Sequence, residues 1–274
     1  NYSNAYIRNI YGLFQKSLDL AVKLGLLNKN VAKQVGNVKK QKKKIDFWTQ
    51  KEFEKVISTF DISDYYEHYT FIIIWLLFMT GLRLGEAQAL EWTDINFEDK
   101  TLTVSKSMYY KSANEFYVTE PKTRAGNRTI ALDDVTISYL AEWKSVQGRN
   151  VVSKYVLSYN GLPTNKSTTK HIIERHSKLA GVHTIKTHAL RHSHASLLIS
   201  LGENAIVVRD RLGHEDVETT LGTYGHLYPN TNIEVAKKLN NLISVKKDDT
   251  ITRNFISNQF VKNRQSGCNN ISLD

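Results

Sequence analysis

Apolar positions along the chain follow three different regimes. Between residues 3 and 24, Ile7, Tyr11, Phe14, Leu18 and Val22 recur at helical spacing, and Gly25 follows as a C-cap. One amphipathic helix cannot bury such a stripe alone, so this segment reads as the end of a helical domain. "FWTQKEFEKVI" opens a new unit: Thr49 and Glu52 have capping-box spacing, and Phe53, Val56 and Ile57 begin a core-facing stripe. A long helix is predicted around 67–79. Its run "FIIIWLLFM" has the pattern of a buried core helix and is far short of the roughly 18–20 residues needed to cross a bilayer. Gly81 interrupts it, and a second helix carries on to Leu90.

From about 100 to 132 the period changes to two. "KTLTVSKSMYY", "EFYVTEP" and "RTIAL" alternate apolar and polar residues, while "SANE" and "TRAGN" supply turns, predicting a small antiparallel three-stranded sheet. Helical spacing returns at roughly 134–147, 167–180, 187–201, 203–212, 217–224 and 230–243. The tail from Ser244 is polar apart from Ile251, Phe255, Ile256 and Phe260. The expected fold class is therefore α+β, mainly α, with no internal repeat.

Charge sharpens this picture. Thirty-seven Lys and Arg against 27 Asp and Glu give a net +10, a balance that favours polyanionic partners. "KKQKKK" at 39–44 reads as a solvated linker or as a linker lying across phosphates. The single cysteine, Cys268, rules out an internal disulfide and fits a reducing cytoplasm. The chain opens on Asn1 rather than Met, and a preceding portion is expected.

Four separated islands could carry chemistry. Arg83 stands in "TGLRLGEA", where an ion pair with Glu86 is the structural alternative. Lys122 lies in "EPKTRAGNRTI", in a hairpin turn where lysine is ordinarily solvated. In "THALRHSHASLL", His188 and Arg191 share a face at a helix N-terminus, an end suited to an anion, while Ala195, Leu198 and Ile199 carry the helix into the core. His188 and His192 have the i, i+4 spacing of zinc ligands, but Ala189 stands where a protease helix has Glu, and no Cys or matching carboxylate is near. His192 and His194 read as structural. The fourth island is "DRLGHEDVETTLGTYGHLYP", with Gly213 ending a helix, Asp216 capping the next, His214 in the corner and Tyr224 ten residues on. A phenol is a poor nucleophile at neutral pH unless cations or a base assist it.

Taken in order, "TGLRLGE", "PKTRAGNRTI", "HALRHSHASLL", "LGH" and "TYGHLYP" resemble the motifs of the tyrosine recombinases, the integrases of phages and conjugative transposons. The resemblance is dense over about 45–240. It implies a helical catalytic domain at 46–243 with the small antiparallel three-stranded sheet, preceded by the last part of a helical core-DNA-binding domain at 1–37. A basic linker at 38–45 and a C-terminal tail at 244–274 complete the scheme. Residue by residue, it makes Tyr224 the nucleophile that attacks a scissile DNA phosphate, giving a 3′-phosphotyrosine and a free 5′-hydroxyl. Arg83 and Arg191 would grip the non-bridging oxygens, Lys122 would protonate the leaving oxygen, and His188 and His214 would hydrogen-bond the phosphate and assist proton transfer. Lys39, Lys40, Lys42, Lys43, Lys44, Arg124, Arg128 and Lys186 are expected along the DNA.

The implied activity is site-specific recombination that integrates or excises a mobile element without cofactor, ATP or metal. Its partners would be double-stranded DNA attachment sites, further copies of the chain in a tetrameric synapse (a monomer when free), and accessory excision or host DNA-bending factors. No membrane association is implied, and the location would be the bacterial cytoplasm at the nucleoid. The sequence departs from the family at Ala189 and Glu215. Tyr228 is a rival nucleophile, disfavoured by its spacing from His214. The alternatives are a non-catalytic DNA-binding regulator and a type IB topoisomerase-like nicking enzyme.

Overall fold

The structure, a computed structural model, describes residues 2–39, 45–111, 115–121, 123–228 and 232–240. Contacts divide the chain into residues 1–227 and residues 228–274.

Helix α1 (Asn4–Lys23) starts at an N-cap, Ser3, whose hydroxyl accepts from the Tyr6 amide. It ends before Gly25, whose φ of 73° is left-handed. The predicted stripe is present but uncovered: no residue of α1 is buried, and Phe14 is 55% exposed. The short α2 (Ala32–Val35) is tied to it by polar contacts instead. Asn30 Nδ2 donates to the Gln15 carbonyl and to Asp19 Oδ1, both at 2.8 Å, and Tyr11 donates to the Ala32 carbonyl.

After residue 45, the Trp48 indole is 1% exposed and donates to the His183 carbonyl at 2.8 Å, while its amide donates to Ser193 Oγ at 2.9 Å. The expected capping box of Thr49 and Glu52 opens α3 (Gln50–Ile57), which buries Phe53 and Val56. Helix α4 (Tyr65–Thr80) is apolar all round because it is the centre of the core, with Ile73, Ile74 and Leu76 wholly buried. Gly81 stops it at φ 66°, and α5 (Leu84–Ala89) follows.

The β region departs from the single three-stranded sheet. Strands β1 (Ile95–Asn96), β2 (Thr101–Val104), β3 (Ser107–Tyr110), β4 (Phe116–Thr119) and β5 (Arg128–Ala131) form two sheets. One is three-stranded and antiparallel in the order β1-β2-β5, with Leu102 opposite Ile130 on the buried face; the other is the β3-β4 hairpin. The stretch read as one strand, "KTLTVSKSMYY", breaks at Ser105–Lys106. There Lys106 leaves the ladder to pair with Glu91 and Asp94, each at 3.0 Å, and Met108 packs against Ala89 and Tyr155.

The remaining helices are α6 (Asp134–Asn150), α7 (Lys166–Leu179), α8 (Ala189–Ser200), α9 (Ala205–Leu212) and α10 (Val217–Tyr224). They match the periodicity closely, although α6 runs three residues beyond the predicted 147. Helices α6, α7 and α8 pack around α4, and α9 lies against α8, α10 and β5. In the second unit the described residues form α11 (Asn232–Leu239). The tail patch of Ile251, Phe255, Ile256 and Phe260 lies outside the described residues.

Candidate active site

The site is assembled around one corner, where α9 ends. Gly213 takes a left-handed φ of 69° there, which leaves the last carbonyls of α9 pointing outward with their partial negative charge. Arg191, on the first turn of α8, donates to the Leu212 carbonyl at 2.6 Å and to the Gly81 carbonyl at 2.8 Å. Arg83, at the start of α5, donates to the Gly213 carbonyl at 3.1 Å and pairs with Glu86 Oε1 at 2.7 Å. Two arginines from distant parts of the chain thus meet on consecutive carbonyls. They differ in access: Arg191 is 2% exposed, whereas the Arg83 side chain is 42% exposed.

Glu86 holds the arginines against their mutual repulsion. Its second oxygen accepts from Arg128 at 2.8 Å, and Arg128 also donates to the Arg211 and Gly126 carbonyls. Burial alone would raise the Glu86 carboxyl, but Arg128 and Arg83 hold it below the usual carboxylate range. Arg128, read from the sequence as a DNA contact, is therefore an internal partner of Glu86. Its side chain is only 7% exposed and its donors are taken within the protein.

The imidazoles lie within this field of positive charge. His214 follows Gly213, and its Nδ1 is 2.9 Å from Thr220 Oγ1. Desolvation, then Arg191, Arg83 and Arg128, push it down to about 4. His188 is the N-cap residue of α8, and its side chain makes no capping bond. Desolvation and the charges of Arg191 and Arg83 hold it below the ordinary imidazole range. Arg191 is itself pushed down to about 9 by burial and by Arg83, which leaves it a cation at neutral pH. Tyr224, at the end of α10, is 1% exposed. Burial drives its phenol up to about 12, and Arg191 offsets only part of that rise.

The structure thus brings together Arg83, His188, Arg191, His214 and Tyr224. Lys122 lies outside the described residues, but the turn that follows it does not. Residues 124–126 abut the Gly213 corner so closely that a Cβ on Gly213 would stand 2.7 Å from the Ala125 carbonyl oxygen. Of the expected DNA contacts, Lys39, Arg124 and Lys186 are exposed, and Lys40, Lys42, Lys43 and Lys44 lie outside the described residues. His194 is buried and accepts from Arg211 Nε at 3.0 Å. His192 is different from its structural reading: its Nδ1 is 2.7 Å from Tyr224 Oη. The signal available in the sequence was the i, i+4 step from His188, which sets His192 one turn further along the same face. Among the described residues, no group of three or more His, Cys, Asp or Glu side chains is placed to hold a metal ion.

The geometry gathers two arginines, two histidines and a tyrosine at one corner of the fold. The phage integrase family matches residues 46–231. The chain is 35% identical over 249 residues to the ICEBs1 integrase of Bacillus subtilis (strain 168), covering 88% of this chain and 67% of that protein. It is 29% identical to a XerC-like tyrosine recombinase of Caldanaerobacter subterraneus subsp. tengcongensis, covering 61% of this chain but 48% of that protein. Its fold resembles that of the Tn1549 transposon integrase (residues 82–397 of that protein, in complex with transposon right end DNA). The TM-score there is 0.72 at 20% identity, over 89% of this chain and 81% of that one. The chain belongs to the phage integrase family, the tyrosine recombinases.

Proposed function

We propose that this chain carries the catalytic centre of a site-specific DNA integrase that moves a mobile element through a 3′-phosphotyrosine intermediate. The observation that carries this reading is the meeting of Arg83 and Arg191 on the Leu212–Gly213 carbonyls, beside His214 and within the field that reaches Tyr224. A phosphodiester entering this corner offers two non-bridging oxygens to two guanidinium forks. Their charge is preorganised for the pentacoordinate transition state, in which negative charge on those oxygens grows. Arg83 is the accessible fork and meets the phosphate first; Arg191 is held rigidly behind it.

Tyr224 attacks phosphorus, the 5′-oxygen leaves with a proton from Lys122, and His188 and His214 hydrogen-bond the phosphate. The phosphotyrosine keeps the phosphodiester's energy, so resealing needs neither ATP nor a metal. Residues 46–243 form the catalytic domain, 1–37 the end of a core-binding domain, 38–45 the linker across the DNA backbone, and 244–274 a tail. Partners are duplex attachment sites and further copies of the chain in a synapse, with accessory bending or excision factors. Arg124, Lys186, Lys39 and the linker lysines contact phosphates, so DNA affinity falls steeply with salt.

Incubation with a nicked suicide duplex tests the reading. A covalent adduct is expected with the unaltered chain and with Tyr228→Phe, and none with Tyr224→Phe. An adduct that survives Tyr224→Phe, or DNA binding without any adduct, would overturn it, the latter in favour of a non-catalytic regulator.

A further inference from the structure

The reactive phenol has one hydrogen-bond partner among the described residues, and it is not among those assigned above. Tyr224 Oη lies 2.7 Å from His192 Nδ1, with the two rings edge to face at 5.6 Å and 65°. His192 projects from the same face of α8 as His188, one turn along, and their rings meet edge to face at 4.9 Å and 85°. His188, which resembles the family's proton-transfer position, makes no hydrogen bond to the tyrosine.

Physical chemistry sets the direction of that contact. Desolvation, His188 and Arg191 together keep the His192 ring neutral, with its pKa pushed down to about 4. A neutral imidazole has one donor and one acceptor nitrogen. The phenol is protonated at neutral pH, since burial drives it up to about 12, so Tyr224 supplies the proton and Nδ1 accepts it. The ring's own hydrogen is then on Nε2, which makes no hydrogen bond among the described residues and is not sealed from water. The groups facing His192 are His188 and Arg191 from its own helix and Tyr224 from α10. A phosphate arriving between the arginines neutralises much of the positive field that suppresses the basicity of this ring.

We infer that His192 is the base of the cleavage step, accepting the Tyr224 proton at Nδ1 as the phenol attacks phosphorus. This rests on the proposed function, which already makes Tyr224 the nucleophile. In the step, the O–H bond of Tyr224 breaks and its proton passes to Nδ1 while the tyrosyl O–P bond forms. The P–O5′ bond breaks with its electron pair on the 5′-oxygen, which takes the proton of Lys122. In resealing, the His192 imidazolium returns its proton to the departing phenolate. His192 touches the reacting oxygen itself, so it counts as a catalytic residue.

The experiment uses the full chain and a pool of nicked duplexes of randomised sequence, enriched by covalent capture on the unaltered protein. His192→Asn keeps an acceptor oxygen near the place of Nδ1 but cannot take a proton. Its adduct rate is expected to fall about a hundredfold at pH 7. That rate should then rise about tenfold per pH unit from 7 to 9, as only preformed phenolate attacks, where the unaltered chain is nearly flat. A 5′-bridging phosphorothiolate, whose sulfur leaves without a proton, should restore Lys122→Ala and not His192→Asn. Retention of the rate within threefold, or a loss with no new pH slope, would overturn the assignment while leaving Tyr224 as nucleophile. Failure of the unaltered chain to capture any duplex would overturn the functional reading as well. Independently of any variant, 15N spectra of histidine-labelled protein should show His192 protonated on Nε2; a proton on Nδ1 would overturn the proposal.

Discussion

The helix pair at the N-terminus and the corner at the end of α9 are both rich in polar contacts, yet they are opposite in design. In α1 and α2 the polar groups are at the surface and the apolar stripe is uncovered: Asp19 pairs with Lys33 in the open, and Phe14 faces water. At the corner the charged groups other than Arg83 are internal. Arg191 and Glu86 are nearly inaccessible, and apolar α4 lies beneath them. Surface pairs of the first kind contribute little, since water screens them. Buried groups of the second kind are costly to separate, because the survivor is left charged and unpaired. Rigidity resides at the corner. The arginines are fixed by carbonyls, by a carboxylate and by a packed core, whereas α1 waits for something to cover it.

The largest effect is expected from Glu86→Ala, which leaves Arg83 and Arg128 facing each other without their shared carboxylate. A loss of about 3–5 kcal/mol in chemical denaturation is expected, together with loss of adduct formation. A change below 1 kcal/mol would show that Glu86 does not hold the corner. A smaller effect should follow from pH. His192 and His214 are held down to about 4, as is His176, buried on α7 beside Arg175, so between pH 6.5 and 4 the unfolded chain binds protons that the folded chain refuses. Stability should therefore decline as pH falls through that window, read as a falling Tm, and the decline should slow below pH 4 for these groups. Glu86 is shifted in the same direction, with the same consequence over a more acidic range. Its depressed pKa gives stability that is present above the unfolded carboxylate range and lost as pH falls through its folded value. The smallest effect is expected from Phe14→Ser on α1, within about 0.5 kcal/mol, because the ring is already in water. A large destabilisation there would mean that the stripe is packed.

Local signals were legible in the sequence, and long-range partnerships were not. The Thr49–Glu52 capping box, the buried α4 and the stops at Gly81 and Gly213 are each written within a few residues, and each is present. Alternation located the strands but not the break at Ser105–Lys106, because both halves alternate; the break depends on Glu91 and Asp94 from before the sheet. Arg128 looked like a surface cation because its partner, Glu86, lies 42 positions earlier. His192 looked structural for the same reason: the phenol it holds is 32 positions later. Family resemblance supplied the convergence of Arg83, Arg191, His214 and Tyr224, and the carbonyls at the end of α9 supply its physical cause.

Gly213 carries a consequence beyond turning the chain. The corner backbone is wedged between Ala125 on one side and the Arg128 side chain on the other, with room only for a hydrogen. One missing methyl group therefore lets three stretches of chain share a single ledge: the loop after position 122, the arginine network and the histidine of the helix corner. Whatever displaces that ledge displaces the turn at 124–126 and the arginine network together, so the two cannot drift apart independently.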